Sequence, residues 1–473
     1  MARSPSCPPR DFSDHGPTRS RPQVDGWPTA SNDAIDVMST AGLLMIAPRW
    51  QVVAVLTGVA ILLPLLIRAI PRRSKPRGAR PRWRVVLPTS AALVAIGVGI
   101  TGLWALPVPE LPRPTGPYDV GTTVREWTDP ARPEVATPDP DDWRTVVVQL
   151  WYPAQPVLPG VERARYLGGT DQEANTISRG LADYLGVPAV LLDGLPRAHG
   201  HAVPDSPVAS SGGPFPVVLF SPGLGGIRTQ NTAWAEDLAS RGYVVAALDH
   251  PYDSAVVVLR DDRTITTTVA ATGDDAEDER RANGWTDIRA ADLRFVLDQL
   301  ELLNRNPDGF PPAGQLNTRL AAATGHSLGG AAALQAARQD HRFAAIIDLD
   351  GFPRDPVSAP LPQPILAVAH PLDSGESPAY LPRLTQVLKL SSKKSCLLTV
   401  PGTEHLTFTD APLFLPPLPS LVGALGRSEG PQLTSNISAV FLDATLKNEG
   451  GPGAHLSMYG DLSCYRSGRP LPP

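Results

Sequence analysis

Two kinds of hydrophobic pattern divide the chain. Between residues 51 and 108 lie two continuous apolar runs, QVVAVLTGVAILLPLLI (51–67) and VVLPTSAALVAIGVGITGLWALPV (85–108). Each is close to the roughly 20 residues that cross a bilayer as a helix. Neither run holds a charged residue, and core helices of soluble proteins seldom stay apolar on every face. Transmembrane helices are therefore predicted over 51–70 and 85–108, in preference to a pair of buried core helices.

Beyond residue 115 the apolar positions fall into short blocks separated by helical patterns. Strand signals are RTVVVQLWY (144–152), PVVLFSPG (216–223), YVVAALDHP (243–251), LAAATGHS (320–327), FAAIIDLDG (343–351), PILAVAH (364–370) and CLLTVPG (396–402). IRAADLRFVLDQLELL (288–303) sets Leu293, Val296, Leu297 and Leu300 at helical spacing, with Thr286 or Asp287 as its cap. LGGAAALQAARQ follows the strand that ends at 327. Strand and helix in alternation predict a largely parallel sheet covered on both faces, with chemistry at the carboxyl ends of its strands. The domain is expected to span 115–473.

The flanking charge orients these elements. RAIPRRSKPRGARPRWR, between the two runs, holds Arg68, Arg72, Arg73, Lys75, Arg77, Arg80, Arg82 and Arg84 and no acidic residue. Short loops rich in Lys and Arg stay in the cytoplasm, so the loop 71–84 is assigned there and everything after the second span outside the cell membrane. A cleaved signal peptide fits less well, because the first run starts far from the amino terminus and no small-residue cleavage site follows it. Residues 1–40 are polar, proline-rich and aperiodic, which predicts a disordered tail; translation from Met38 is the alternative. The net charge of −5 comes from interspersed acids and bases, which argues against a nucleic-acid partner. Cys396 and Cys464 both fall in the outer domain, so one disulfide or two free thiols are equally open, and no Cys/His cluster has zinc-site spacing.

Candidate chemistry centres on GHSLGG (325–330). Gly325, Ser327 and Gly329 fit G-x-S-x-G, and the match lies after an apolar strand and before an alanine-rich helix, the context that gives the motif meaning. A serine nucleophile needs a base and an orienting acid. Of the nine histidines, His405 in VPGTEHLTF follows the last strong strand on a loop, where the order Ser, acid, His would place it. His326 sits inside the turn and is expected to point elsewhere; His341 and His370 read as surface or packing residues. For the acid, Asp350 at a strand's carboxyl end is preferred, with Asp373 one strand later as its competitor. An oxyanion hole is expected from the backbone N–H of Leu328 and, in SPGLGG (221–226), that of Leu224.

The stretches GPYDVGTTV, VVLFSPGLGGIRTQ, DLASRGYVVAALDHP, TGHSLGG, DLDGFPRDP with PLPQPILAVAH, and VPGTEHLTFTD stand in the order and register of the plasma-type platelet-activating-factor acetylhydrolases, and the chain resembles that family over roughly 115–445. The resemblance implies an α/β-hydrolase fold, no cofactor and no calcium. It implies Ser327 as nucleophile, Asp350 as acid, His405 as base, and the Leu224 and Leu328 amides as the oxyanion hole. It also implies hydrolysis of short or oxidised acyl chains from phospholipids. One departure is that this chain has Pro222 where many members carry histidine, a departure also seen in related polyester hydrolases. A general lipase or cutinase-like hydrolase, an acyltransferase and a non-catalytic binding protein on the same fold are the alternatives. The insertion 155–212 contains DQEANTISRGLADYLGVPAVLL, a predicted helix with Leu181, Tyr184, Leu185 and Val187 on one side, read as a lid or lipid contact or as a packed helix. The acidic stretch DDAEDER (274–280) reads as a solvated loop with no metal role.

Overall fold

Alternating side chains along five central strands build two separate cores, one on each face of a single sheet. The computed structural model describes residues 49–70, 83–269, 272, 274–306, 310–354, 361–372, 379–449 and 455–471. Val217 and Leu219 of β4 (Phe215–Ser221) face one core, and Val218 and Phe220 face the other. The same division runs through β5 (Val244–Asp249), β8 (Leu316–His326), β9 (Phe343–Leu349) and β10 (Ile365–Ala369). Strands buried on both sides need helices on both sides. One face is covered by Asp275–Arg305, Leu328–Gln339 and Tyr380–Leu390, the other by Thr232–Ser240 and Glu429–Leu442.

The sheet has eleven strands in the order β13-β12-β11-β10-β9-β8-β4-β5-β2-β1-β3. Its centre, from β5 through β4, β8, β9 and β10 to β11 (Ser395–Thr399), is parallel. Long antiparallel strands β1 (Asp119–Pro133) and β2 (Trp143–Ala154) extend one side, with the short β3 (Val203–Pro204) beside β1. β12 (Asp461–Arg466) and β13 (Arg469–Leu471) extend the other side, again antiparallel. Cys396 of β11 and Cys464 of β12 are directly paired in register and joined as a disulfide. The chain leaves β4 toward β5 and returns to place β8 on the opposite side of β4. That reversal opens a crevice at the carboxyl ends of β4 and β8, the place where open α/β sheets bind ligands.

The helix predicted from residue 288 begins at Asp275, capped by Asp274, whose side chain accepts from the Glu277 backbone N–H at 2.9 Å. The acidic stretch is thus the first turns of that helix and not a loop, and Glu279 within it pairs with Arg383 at 3.3 Å. Acidic residues favour a helix amino terminus, and without apolar periodicity they leave no trace in a hydrophobic pattern.

The two apolar runs form helices Trp50–Ala69 and Trp83–Ala105, both long and apolar enough to be candidate membrane spans. They pack antiparallel with Gly58, Ala92 and Gly99 at their contact, small residues of the kind that let helix backbones approach in lipid. Trp50 and Trp104 lie at the same end of the pair. There the Trp50 indole N–H donates to Val190 O at 3.1 Å, and Arg427 donates to the carbonyls of Trp104 and Ala105 at 2.8 and 3.1 Å. The tail 1–40, residues 71–82 of the basic loop, and Asp373 lie outside the described residues.

Candidate active site

Ser327 occupies a single-residue turn between β8 and the helix Leu328–Gln339, with φ +56° and ψ −122°. Positive φ is uncommon for a residue with a Cβ, and strain of this kind collects at functional sites. The flanking glycines are required by close approach: a Cβ at Gly325 would strike the Gly329 backbone, and one at Gly329 the carbonyls of Ser221 and Pro222. Ser327 N–H donates to Leu349 O at 2.9 Å, tying the turn to β9. The first amides of the following helix, Leu328 among them, lie immediately beyond the serine, where unpaired N–H groups favour negative charge.

Asp350 and His405 are in contact. Asp350 follows β9 with φ +55° and donates its backbone N–H to Val368 O at 2.7 Å. His405 opens a one-turn 3₁₀ helix after β11, capped by Glu404 and Thr407, and its Nδ1 stands 2.5 Å from Asp350 Oδ2. The same carboxylate receives more than the sequence suggested. His370, expected to be a surface or packing residue, is buried with Nδ1 2.8 Å from Oδ2 and 2.9 Å from Oδ1, and its backbone N–H donates to Oδ1 at 3.1 Å. Tyr380 donates its hydroxyl to Oδ1 at 3.1 Å. The cause lies in the register: Val368 pairs with Leu349, so the ends of β10 and β9 sit side by side. Burial opposes ionisation of Asp350, but the hydrogen bonds from His370 and His405 outweigh it and hold the carboxyl well below the usual range.

His326 also departs from expectation. Rather than pointing away, it is buried against His405 with ring centroids 4.5 Å apart, and its Nε2 lies 3.0 Å from His405 O. Burial, then the neighbouring charge of His405, push its pKa down to about 3, so it is neutral at ordinary pH. Gln230 Nε2 lies 2.9 Å from His326 Nδ1, and Gln230 Oε1 accepts from Gly223 N–H at 3.0 Å. Since the amide nitrogen can only donate, Nδ1 accepts and the Nε2 proton goes to the His405 carbonyl. This chain links the loop after β4 to the loop that carries His405.

The loop Ser221–Gly226 carries Leu224 to the edge of a cavity of about 290 Å³. Ser327, His326, His405, Gly223 and Leu224 line it together with the apolar side chains of Leu181, Leu185, Phe414 and Leu415. Leu181, Tyr184 and Leu185 come from the helix Asp171–Leu185 in the insertion, and Tyr184 donates its hydroxyl to Leu224 O at 3.2 Å. The helix thus packs on the domain, in line with its packing reading, and also borders the cavity. Asp350, His370 and His405 place metal-capable atoms within 4.8 Å of one another, and their mutual hydrogen bonds account for that grouping. Of the residues singled out from sequence, Ser327, Leu224 and His405 share the cavity, Asp350 stands behind His405, and Leu328 adjoins Ser327.

A serine on a strained strand-to-helix turn, at the switch point of a mostly parallel sheet, defines the α/β-hydrolase class. Comparison with known proteins narrows this. The family model described as platelet-activating factor acetylhydrolase, isoform II, matches residues 106–292 and 310–449, and the chain belongs to that family. It is 26% identical over 365 residues to the platelet-activating factor acetylhydrolase of Cavia porcellus, covering 71% of this chain and 78% of that one. A protein of Arthroderma benhamiae named "Probable 1-alkyl-2-acetylglycerophosphocholine esterase" is 30% identical over 210 residues, 42% of this chain and 50% of its own length. Among solved structures, a ferulic acid esterase from Streptomyces cinnamoneus superposes with a TM-score of 0.62 at 29% identity, over 76% of this chain and 99% of that one. The protein is a carboxylic-ester hydrolase.

Proposed function

We propose that the protein is a membrane-anchored serine esterase that removes short acyl chains from phospholipids through an acyl-enzyme. Ser327 Oγ attacks the ester carbonyl while His405 Nε2 takes its proton, and Asp350 holds the imidazole tautomer that leaves Nε2 free. The Leu224 and Leu328 amides stabilise the oxyanion. As the tetrahedral species collapses, His405 returns the proton to the departing alcohol. Water then attacks the acyl-serine, losing a proton to His405, and Ser327 is regenerated as the acid leaves. The observation that carries this reading is the 2.5 Å contact between His405 Nδ1 and Asp350, on the wall of the apolar cavity that Ser327 also lines.

The phospholipid class is supported by the names of the relatives from Cavia porcellus and Arthroderma benhamiae. Pro222 and the ferulic acid esterase favour a second reading, a general or polyester hydrolase. The two apolar helices and the basic stretch between them support a membrane anchor with the catalytic domain outside. The test is acyl release by the full chain in detergent from a p-nitrophenyl acetate and from an acetylated ether phospholipid. Turnover of both is expected, abolished in Ser327→Ala; turnover of the simple ester alone selects the second reading.

A further inference from the structure

Arg289 is wholly buried in the helix Asp275–Arg305, directly beneath the loop that follows β4. Its Nε and Nη2 each lie 2.6 Å from an oxygen of Asp253, a bidentate pair that offsets its charge. The remaining donors reach two successive carbonyls of the loop: Nη2 donates to Gly223 O at 3.0 Å and Nη1 to Pro222 O. A surface role is excluded by burial, and salt bridging alone would not need two backbone acceptors from one turn.

The consequence follows from peptide geometry. In a trans peptide the C=O and N–H point in opposite directions. The Gly223 carbonyl and the Leu224 N–H belong to the same peptide plane. Holding that carbonyl on Arg289, below the loop, turns the Leu224 N–H to the opposite side, where Leu224 borders the cavity with Ser327. The preceding plane is fixed in the same way, with Pro222 O on Arg289 and the Gly223 N–H on Gln230. The Gly226 N–H also donates to Gly223 O, at 2.9 Å, so Arg289 adds its hold from below to a turn that already engages this carbonyl.

We propose that Arg289 is a positioning residue for the oxyanion hole: it holds the Gly223–Leu224 peptide in the one orientation that presents the Leu224 amide to the reacting carbonyl oxygen. This rests on the role given to Leu224 in the proposed mechanism. Arg289 touches no substrate and acts through the peptide it holds.

The test compares the full-length wild type with Arg289→Met and Arg289→Lys, each checked for a cooperative thermal transition. Steady-state kinetics on p-nitrophenyl acetate are measured beside inhibition by an alkyl trifluoromethyl ketone, which forms a tetrahedral adduct with a serine and needs the hole as the transition state does. Loss of one oxyanion donor lowers kcat on the order of 10² to 10³-fold. Arg289→Met is expected to approach that loss with KM changed by less than about threefold, and its ketone affinity to fall in proportion to kcat/KM. Arg289→Lys retains a cation beside Asp253 and is expected to fall between the two. Unchanged ketone affinity in the variants, or a rise in KM at constant kcat, overturns the proposal. Should Arg289→Met fail to fold, Arg289→Lys with the ketone decides. Ser327→Ala separates the two levels of the argument: a fully active Ser327→Ala defeats the mechanism itself, whereas an inactive one beside Arg289 variants of wild-type ketone affinity defeats this inference alone.

Discussion

His370 and His405 share one carboxylate: both present Nδ1 to Asp350 Oδ2, at 2.8 and 2.5 Å. Asp350 is therefore held by His370, outside the cavity lining, as well as by His405, which lines the cavity. Replacing His370 with leucine removes one donor while Tyr380 remains. Hydrogen bonds to charged groups contribute about 1.5–3 kcal/mol, so kcat/KM is expected to fall on the order of tenfold. Asp350 gives stability that is present above the ordinary carboxyl value and is lost as pH falls through its depressed one. Without His370 the depression is smaller, so urea unfolding across the acid range should show a smaller loss of stability below the ordinary carboxyl value, complete at a higher pH than in the wild type.

The choice between two aspartates is open to direct assay. Asp350→Asn leaves the side chain in place but removes the charge that fixes the His405 tautomer, and the expected loss in kcat is on the order of 10⁴. Asp373→Asn is expected to retain activity within about twofold. Reversal of these two results would move the acid to Asp373.

Asp410 follows the His405 loop and is buried, with Oδ2 accepting from the Ala233 N–H at 3.2 Å. Burial pushes its pKa up to about 8. Folding therefore favours its protonated form, and the associated stability is present below about pH 4, the unfolded value, and is lost as pH rises toward about 8. In Asp410→Asn the unfolding free energy should decline less between pH 4 and 8 than in the wild type, as measured by denaturant titration.

Much of this site is legible in the sequence, and the exceptions have physical reasons. Ser327, Leu224 and Leu328 stand in local motifs whose strand and helix neighbours can be read from periodicity. The central strands are mostly short and apolar, and they fall where the pattern puts them. β1 did not, because DVGTTVREWTDPARP is a half-exposed strand with polar residues and prolines. The terminal hairpin β12–β13 is likewise polar and short. His370 and Arg289 are the functional gaps. Each looks ordinary in sequence, the first at a strand end and the second in a helix of mixed charge. His370 matters only because β9 and β10 are adjacent and in register, and Arg289 only because its helix runs beneath the loop after β4. One signal for His370 was available: it ends the strand that follows the strand of Asp350, and neighbouring strands of such sheets end together.

The disulfide between Cys396 and Cys464 closes a 68-residue separation and fastens the terminal hairpin to β11. A link of that kind typically contributes about 2–4 kcal/mol. Cys464→Ser is expected to lower the thermal midpoint and to leave KM unchanged, because the hairpin lies at the sheet edge away from the cavity. Equal midpoints for variant and wild type under non-reducing conditions would show that the pair does not form.

The covalent step at Ser327 is the centre of this account. Intact-protein mass spectrometry after brief exposure to a p-nitrophenyl alkylphosphonate reads it most directly. One phosphonyl adduct is predicted, mapping by peptide digestion to the segment holding Ser327, absent from Ser327→Ala and formed slowly in Asp350→Asn. An adduct on another residue, or an equal adduct on Ser327→Ala, would contradict it.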